Sequence, residues 1–160
     1  CSVQTIRGES NVNLSAVQSD LDARAVAQVI ASYRRVEGRA AAAALAFFVG
    51  VQRGPLRVRR VFRYDDLDQR TLAKEVFDVV VGQLESPREL CALLERMGRR
   101  GLVDAVSPSD IDAIGVALVA TLRDFDEAWS PDVEHAWSTV WSWSVAAVRR
   151  GHAVRRGSFG

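Results

Sequence analysis

The stretch from Ser86 to Val148 decides the fold of this chain: SPRELCALLERMGRRGLVDAVSPSDIDAIGVALVATLRDFDEAWSPDVEHAWSTVWSWSVAAV. A serine followed by a proline occurs in it three times, at residues 86, 107 and 130, each time before an apolar pattern of helical period. A serine at the N-cap accepts a hydrogen bond from a first-turn amide. A proline at the first helical position costs no helical hydrogen bond, because the amide there has no partner within the helix. The stretch therefore predicts three helix starts.

The remaining chain is also helical by its apolar periodicity, with apolar residues recurring at intervals of three and four. We predict helices over about 20–38, 39–51, 65–84, 87–100, 108–125 and 131–150, and a short helical turn over 56–62. The second of these is apolar almost all round, which is typical of a helix buried on several sides. The predicted class is all-α with about seven helices. They form a domain over 18–150, between a flexible lead over 1–17 and a basic tail over 151–160.

Composition narrows the class of protein further. The 160 residues, 48% hydrophobic and 26% charged, suit one globular domain. The net charge of +1 argues against a general polyanion binder, so we do not expect a nucleic-acid partner. We expect the arginines of 53–63 and 149–156 to form a solvated face. No apolar run is long enough for a bilayer, and residues 1–16 lack the apolar core of a signal peptide. We expect a cytoplasmic protein without membrane contact.

The sequence offers no catalytic or metal-binding constellation. Cys1 and Cys91 make neither a disulfide framework nor a metal-ligand spacing. The two histidines are not placed to act as the base of a catalytic serine or cysteine. The glycines near residue 100 lie at a predicted helix end, where their role as C-caps explains them. We therefore expect a protein that is not an enzyme and holds no metal.

The later half of the chain carries a motif of fixed spacing. A helix ends in the sequence MGRRG, a valine follows the last glycine by five residues, another glycine follows it by fourteen, and the final helix contains Ala-Trp. These features are Met97–Gly101, Val106, Gly115 and Ala136-Trp137. The block resembles the C-terminal half of bacterial single-domain globins and of flavohemoglobin globin domains, in which the helix ends Leu-Gly-x-x-His. The resemblance covers about residues 20–150 and implies a globin-like fold.

The resemblance also places residues around a heme pocket. Phe62 falls where the family has a phenylalanine against heme. Gln69 falls at the family's distal position, and the 32 residues from Gln69 to Gly101 match the interval in the family. The family's distal leucine falls on Ala73, beside Leu72. The apolar pocket that these positions imply is formed by Phe47, Phe48, Phe62, Gln69, Leu72, Ala73, Met97, Gly101, Val106, Ile111 and Trp141.

The departure from the family concerns the iron ligand. A globin holds its iron through a proximal histidine, and that position here is Gly101. The family's distal tyrosine corresponds to Phe48 and its proximal tyrosine to Ile111. Neither Phe48 nor Ile111 has a hydroxyl group that could donate the family's hydrogen bond. The resemblance therefore implies a heme-free member with no cofactor. Aromatic side chains or a small apolar ligand would then fill the vacated space, because a large empty cavity is destabilising.

Three other side chains are candidates for the iron ligand. His152 falls where the family has a glutamate beneath the proximal histidine, and Met97 lies one turn before Gly101. Hydration of the arginine-rich end argues against His152, and core packing is the ordinary role of a methionine at helical spacing. His135 falls on the outer face of the last helix.

Three hypotheses of function follow. The first is a heme-free globin-like regulatory, sensor or protein-interaction domain. Similar non-heme globin modules of bacterial stress signalling imply a homodimer through the last two helices, with Trp143 as an outward aromatic residue, and a protein partner or small apolar ligand. The second is a gas-sensing heme protein with His152 or Met97 as the iron ligand. The third is an adaptor for nucleic acid or an acidic partner, which uses the arginines.

Overall fold

A computed structural model describes residues 21–54, 77–101 and 106–158 of the chain. These residues form five α-helices, a 3-10 turn over Glu37–Arg39, and a helical stretch over 77–82; none of them forms a strand. The helices are α1 (Ala23–Val36), α2 (Ala40–Gln52), α3 (Pro87–Arg99), α4 (Pro108–Phe125) and α5 (Pro131–Gly157). The all-α prediction is confirmed. The predicted turn over 56–62 and most of the predicted helix over 65–84 lie outside the described residues.

Two of the three predicted serine caps form. The Ser107 hydroxyl accepts from the Asp110 amide at 3.2 Å while the Asp110 carboxylate accepts from the Ser107 amide at 3.1 Å, a reciprocal capping box. The Ser130 hydroxyl accepts from the Val133 amide at 3.3 Å. Ser86 precedes α3 but its side chain makes no capping hydrogen bond, so that prediction is wrong in its detail. Proline stands at the start of all three helices, so their placement does not depend on that bond.

The burial of α2 differs from the prediction. One face is buried through Ala43, Phe47 and Val51, whereas Leu45 and Val49 on the other face are 41% and 42% exposed. The helix is apolar on nearly every side, but only part of that surface is covered by described neighbours. Periodicity alone cannot separate these cases, since an apolar residue is compatible with either environment.

The closest helix contact joins α3 to α5. A Cβ built on Gly98 would collide with the carbonyl oxygen of Val148, and one built on Gly151 would collide with the carbonyl oxygen of Glu95. The backbones of the two helices therefore touch at both glycines. Helix α5 continues through Gly151 to Gly157, into the segment predicted as a tail, because this glycine serves the helix crossing and does not end the helix. Looser contacts join α1 to α5, α2 to α4 and α4 to α5.

A buried polar network joins α1 to the connection between α4 and α5. The Asp126 carboxylate accepts from Ser32 Oγ at 2.6 Å, from Arg35 Nε at 2.6 Å and Nη2 at 2.8 Å, and from the Ala128 amide at 3.0 Å. The Trp137 indole nitrogen donates to Ser32 Oγ at 3.0 Å. Burial raises the pKa of Asp126, but the hydrogen bonds from Arg35 and Ser32 outweigh it, so the net pKa is below its ordinary value. The network fixes the start of α5 against α1.

The apolar core lies between α1, α3, α5 and the inward faces of α2 and α4. Val29 and Leu90 are fully buried, and Leu84, just before α3, is fully buried with them. Trp137 is 4% exposed and its ring is part of the same cluster. None of the helices in the described residues has the length and apolar character needed to cross a membrane.

Candidate functional site

The predicted pocket is only partly within the described residues. Phe62, Gln69, Leu72 and Ala73 lie outside them. Of the remaining members, Phe47, Phe48 and Ile111 are buried, while Met97, Val106 and Trp141 are half-buried. The rings of Phe47 and Phe48 meet edge to face, with centroids 5.6 Å apart and planes at 65°. Phe47 and Trp141 line two different cavities.

Gly101 occupies a conformation that explains why glycine stands there. It follows the last residue of α3 and its C-cap, Arg100, and its backbone has φ of 87°. Its amide donates to the Gly98 carbonyl at 3.1 Å. This is the left-handed residue that commonly ends a helix, where a Cβ introduces strain. The position that the resemblance aligns with the iron ligand is therefore a helix terminator here.

The two alternative iron ligands lie near the crossing of α3 and α5. A Cβ on Gly98 would come within 3.0 Å of the His152 backbone nitrogen, which places His152 beside α3. His152 and Met97 are both half-buried. Met97 packs against the core, which is the ordinary role of a methionine at helical spacing. His135 is exposed, as predicted. The described residues contain no group of three or more metal-ligating side chains that is arranged to bind a metal ion.

Among the tryptophans of α5, Trp143 differs from its predicted placement. Trp143, predicted to face outward, is half-buried and packs against the core cluster. Its indole nitrogen is buried and has no hydrogen-bond partner in the described structure. Trp141, predicted to fill the pocket, lies against α4 because Gly115 leaves room for it: a Cβ on Gly115 would collide with the Trp141 indole nitrogen. Its other side lines a surface groove.

This surface groove follows the outer face of α4 and α5 and encloses about 460 Å³. Its apolar and small lining residues are Trp141, Ser142, Val145, Ala146 and Ala153, and its charged ones are Asp112, Arg149 and Arg150. Ser142, Ala146, Arg149 and Ala153 are all exposed and recur at intervals of four, three and four, so they share one face of α5.

The two arginines of the groove are held differently. Arg150 Nε donates to Glu95 Oε1 at 3.1 Å and Arg150 Nη2 donates to Cys91 Sγ at 3.2 Å, which attaches it to α3. Burial lowers the pKa of Arg150, but the hydrogen bonds to Glu95 and Cys91 raise it by more, so the net pKa is raised. Arg149 is exposed and makes no ion pair or hydrogen bond with the described part of the chain, and the same holds for Asp112.

A second cavity, of about 30 Å³, lies between α1, α2 and α4. Of the predicted pocket residues described, it includes Phe47. Neither this cavity nor the groove was predicted from the sequence. The spacing of small residues along α5 was the available signal for the groove, together with the absence of any acid after Glu134 in that helix.

No known family model matches this chain, and a search of curated proteins gives no significant match.

Proposed function

We propose that this chain is a heme-free, globin-like regulatory domain that acts by pairing with a second copy of itself through the outer face of α4 and α5. The observation that carries the proposal is the groove on this face, in which an acid, Asp112, and a base, Arg149, neither paired with another described residue, border an apolar surface.

The conformation of residue 101 supports the heme-free part of the proposal. A proximal ligand needs a side chain that points from a helix toward the iron. At this position the helix has ended, the backbone is left-handed, and the residue is glycine. This glycine supports a role without heme chemistry, and the globin-like part of the proposal rests on the spacing of Met97–Gly101, Val106 and Gly115.

The charges of the groove favour a second copy as its occupant. A two-fold interface brings the same patch of both subunits together, so the patch must be complementary to itself. A patch with one acid and one free base satisfies this condition, because Asp112 of each copy can face Arg149 of the other. A surface with only arginines would repel its own copy.

The dimensions of the face suit a stable dimer. A stable interface buries roughly 800 Å² on each partner. Helix α5 has 27 residues, so it is about 40 Å long, and two adjacent helices are about 20 Å wide. The exposed small residues of α5 permit close approach of another helix, and Val116 of α4, 71% exposed, adds apolar surface on the same hairpin.

Sedimentation velocity of charge-reversed variants tests the pairing. We expect the wild-type protein to sediment as a dimer and Arg149→Glu to shift it to monomer, because each copy then presents two acids to the other. The double variant Asp112→Arg/Arg149→Glu exchanges the two charges and is expected to restore the dimer.

The control is Arg88→Glu, which makes the same charge change at an exposed arginine of α3 outside the groove. It should remain dimeric. A monomeric wild-type protein contradicts the proposal, and so does an Arg149→Glu variant with the wild-type mass.

A further inference from the structure

The arginines of this chain differ in their surroundings. Four of them each pair with an acid at 2.6 Å or 3.6 Å: Arg24, Arg35, Arg39 and Arg123. Four others, on α3 and at its C-cap, are exposed, and their side chains make no ion pair or hydrogen bond with the described part of the chain: Arg88, Arg96, Arg99 and Arg100. We call these four residues the basic stripe.

The basic stripe follows the outer face of α3. Arg88, Arg96 and Arg99 are separated by eight and three residues, so they share one face of the helix, with exposed Ala92 between them. At about 1.5 Å per residue, the stripe is about 16 Å long from Arg88 to Arg99.

The neighbouring helix adds positive charge beside the stripe. From residue 135 to residue 158, α5 and its C-cap contain four arginines and no acid. Residues 87–101 and 135–158 together hold eight arginines and two glutamates, a charge of +6, and one of these glutamates, Glu95, is paired with Arg150. Since the whole chain has a net charge of +1, the remaining residues carry −5. The charge of the protein is therefore strongly polarised toward α3 and the later part of α5.

The chemistry of an isolated helix does not explain the stripe. A helix dipole favours cations in the last turn, where Arg96 and Arg99 lie, but like charges three or four residues apart repel each other. Arg88 lies in the first turn of α3, where the dipole disfavours a cation. An anionic partner would relieve both kinds of repulsion.

The chemistry and the length of the stripe narrow the kind of partner. Guanidinium groups bind carboxylates and phosphates in two-pronged geometry. Helix α3 contains no aromatic residue on which a nucleic-acid base could stack. A long polyanion would also extend beyond the stripe toward the remaining residues, whose charge of −5 repels it. A short acidic segment avoids both difficulties, since about 16 Å corresponds to roughly five residues of extended chain.

We propose that the basic stripe of α3 is the docking surface for a short acidic segment of a partner protein. The stripe shares no residue with the groove of α4 and α5. This inference therefore goes beyond the pairing of two copies and does not depend on it.

Fluorescence anisotropy with a labelled decaglutamate peptide tests the docking surface. We expect saturable binding of one peptide per chain, which weakens as the salt concentration rises. The double variant Arg96→Glu/Arg99→Glu should weaken binding by at least about tenfold, because it replaces two attractive charges with two repulsive ones. Arg100→Glu lies beyond the last residue of α3 and should weaken binding by a smaller factor, so the test remains available if the double variant does not fold.

The matched control is Arg34→Glu/Arg53→Glu. These two arginines are exposed, lie in the last turn of α1 and at the C-cap of α2, and make no ion pair with a described residue. The control makes the same charge change at the same kind of helix end and should leave peptide binding unchanged.

Three outcomes would overturn the proposal. They are the absence of saturable binding to the wild-type protein, an equal loss of binding in the control, and tighter binding of an oligothymidylate of the same charge than of the peptide. The oligomeric state is measured separately by sedimentation, so failure of the docking surface and failure of the pairing are distinguishable.

Discussion

At the scale of single residues, Asp126 shows how a buried charge becomes part of the fold. Its side chain is fully buried, yet the paired Arg35 side chain is 35% exposed. Desolvation of the carboxylate is compensated by the hydrogen bonds from Ser32, Arg35 and Ala128. Because these donors favour the ionised form, the folded state binds a proton at Asp126 less readily than the unfolded state does.

The stability of the fold should therefore depend on this carboxylate below about pH 4. The pKa of Asp126 in the folded chain lies below its ordinary value of 3.8. Its contribution is fully present above that ordinary value and is lost as the pH falls through the lower folded-state pKa. We expect Asp126→Asn to reduce the free energy of unfolding at pH 7 by about 2 kcal/mol, because Ser32 and the Ala128 amide lose an ionised acceptor, and to flatten the loss of stability under acid, measured by urea denaturation across pH.

The control for this change is Asp132→Asn. Asp132 pairs with Arg24 at 3.6 Å, and both side chains are more than 70% exposed. An exposed pair is worth roughly 0–1 kcal/mol. If Asp126→Asn cost no more than Asp132→Asn, the network would not be a stabilising feature.

At the scale of elements, the contact between α3 and α5 depends on two residues without side chains. Gly98 and Gly151 each face a backbone carbonyl of the opposite helix. A carbonyl of a helix cannot rotate away as a flexible side chain can. Any larger residue at these positions must separate the helices and loosen the contacts around Leu94 and Val148, both of which are buried.

We predict that Gly98→Ala lowers the free energy of unfolding by at least about 2 kcal/mol. Overpacking at this rigid contact destabilises the fold by more than the higher helix propensity of alanine stabilises it. Gly50→Ala is the matched control. No atom of the described residues lies within 4 Å of a Cβ at Gly50, inside α2. That variant should be more stable than wild type by about 0.5–1 kcal/mol. Equal effects of the two changes in thermal or urea unfolding would contradict the close crossing.

Local signals in the sequence predicted most of the described elements. The Ser-Pro pairs and the apolar period located α3, α4 and the start of α5, because capping and helical amphipathicity are properties of a few adjacent residues. The end of α5 was misjudged. Gly151 looks like a helix end in isolation, and only its contact with Glu95, distant in the sequence, shows why the helix continues.

At the scale of the whole molecule, the surfaces could not be predicted in the same way. The groove requires Asp112 of α4 to lie near Arg149 of α5, and the inner cavity combines residues of three helices. Both follow from how the helices cross, which periodicity does not specify. Trp143 illustrates the difference: the pattern put it on the outer face, whereas its ring packs against the core cluster.

For the predicted pocket residues, the sequence shows their identity and which of them are adjacent, but it does not show their backbone conformation or how distant segments pack. The identity of Gly101 was evident in the sequence, but its left-handed conformation beyond the end of α3 was not. The rings of Phe47 and Phe48 meet because the two residues are adjacent on α2, and their place in a common pocket stays a prediction. Whether Met97, Val106 and Trp141 enclose a common space with residues 62–73 stays a prediction.

Titration of the purified protein with hemin tests the central claim, that this fold holds no heme, most directly. The Soret absorption is recorded against the ratio of hemin to chain, with a heme globin treated identically as the positive control. We expect the broad spectrum of free hemin, without saturation at one heme per chain. A sharp Soret band that saturates at that ratio and is lost in His152→Ala would contradict it.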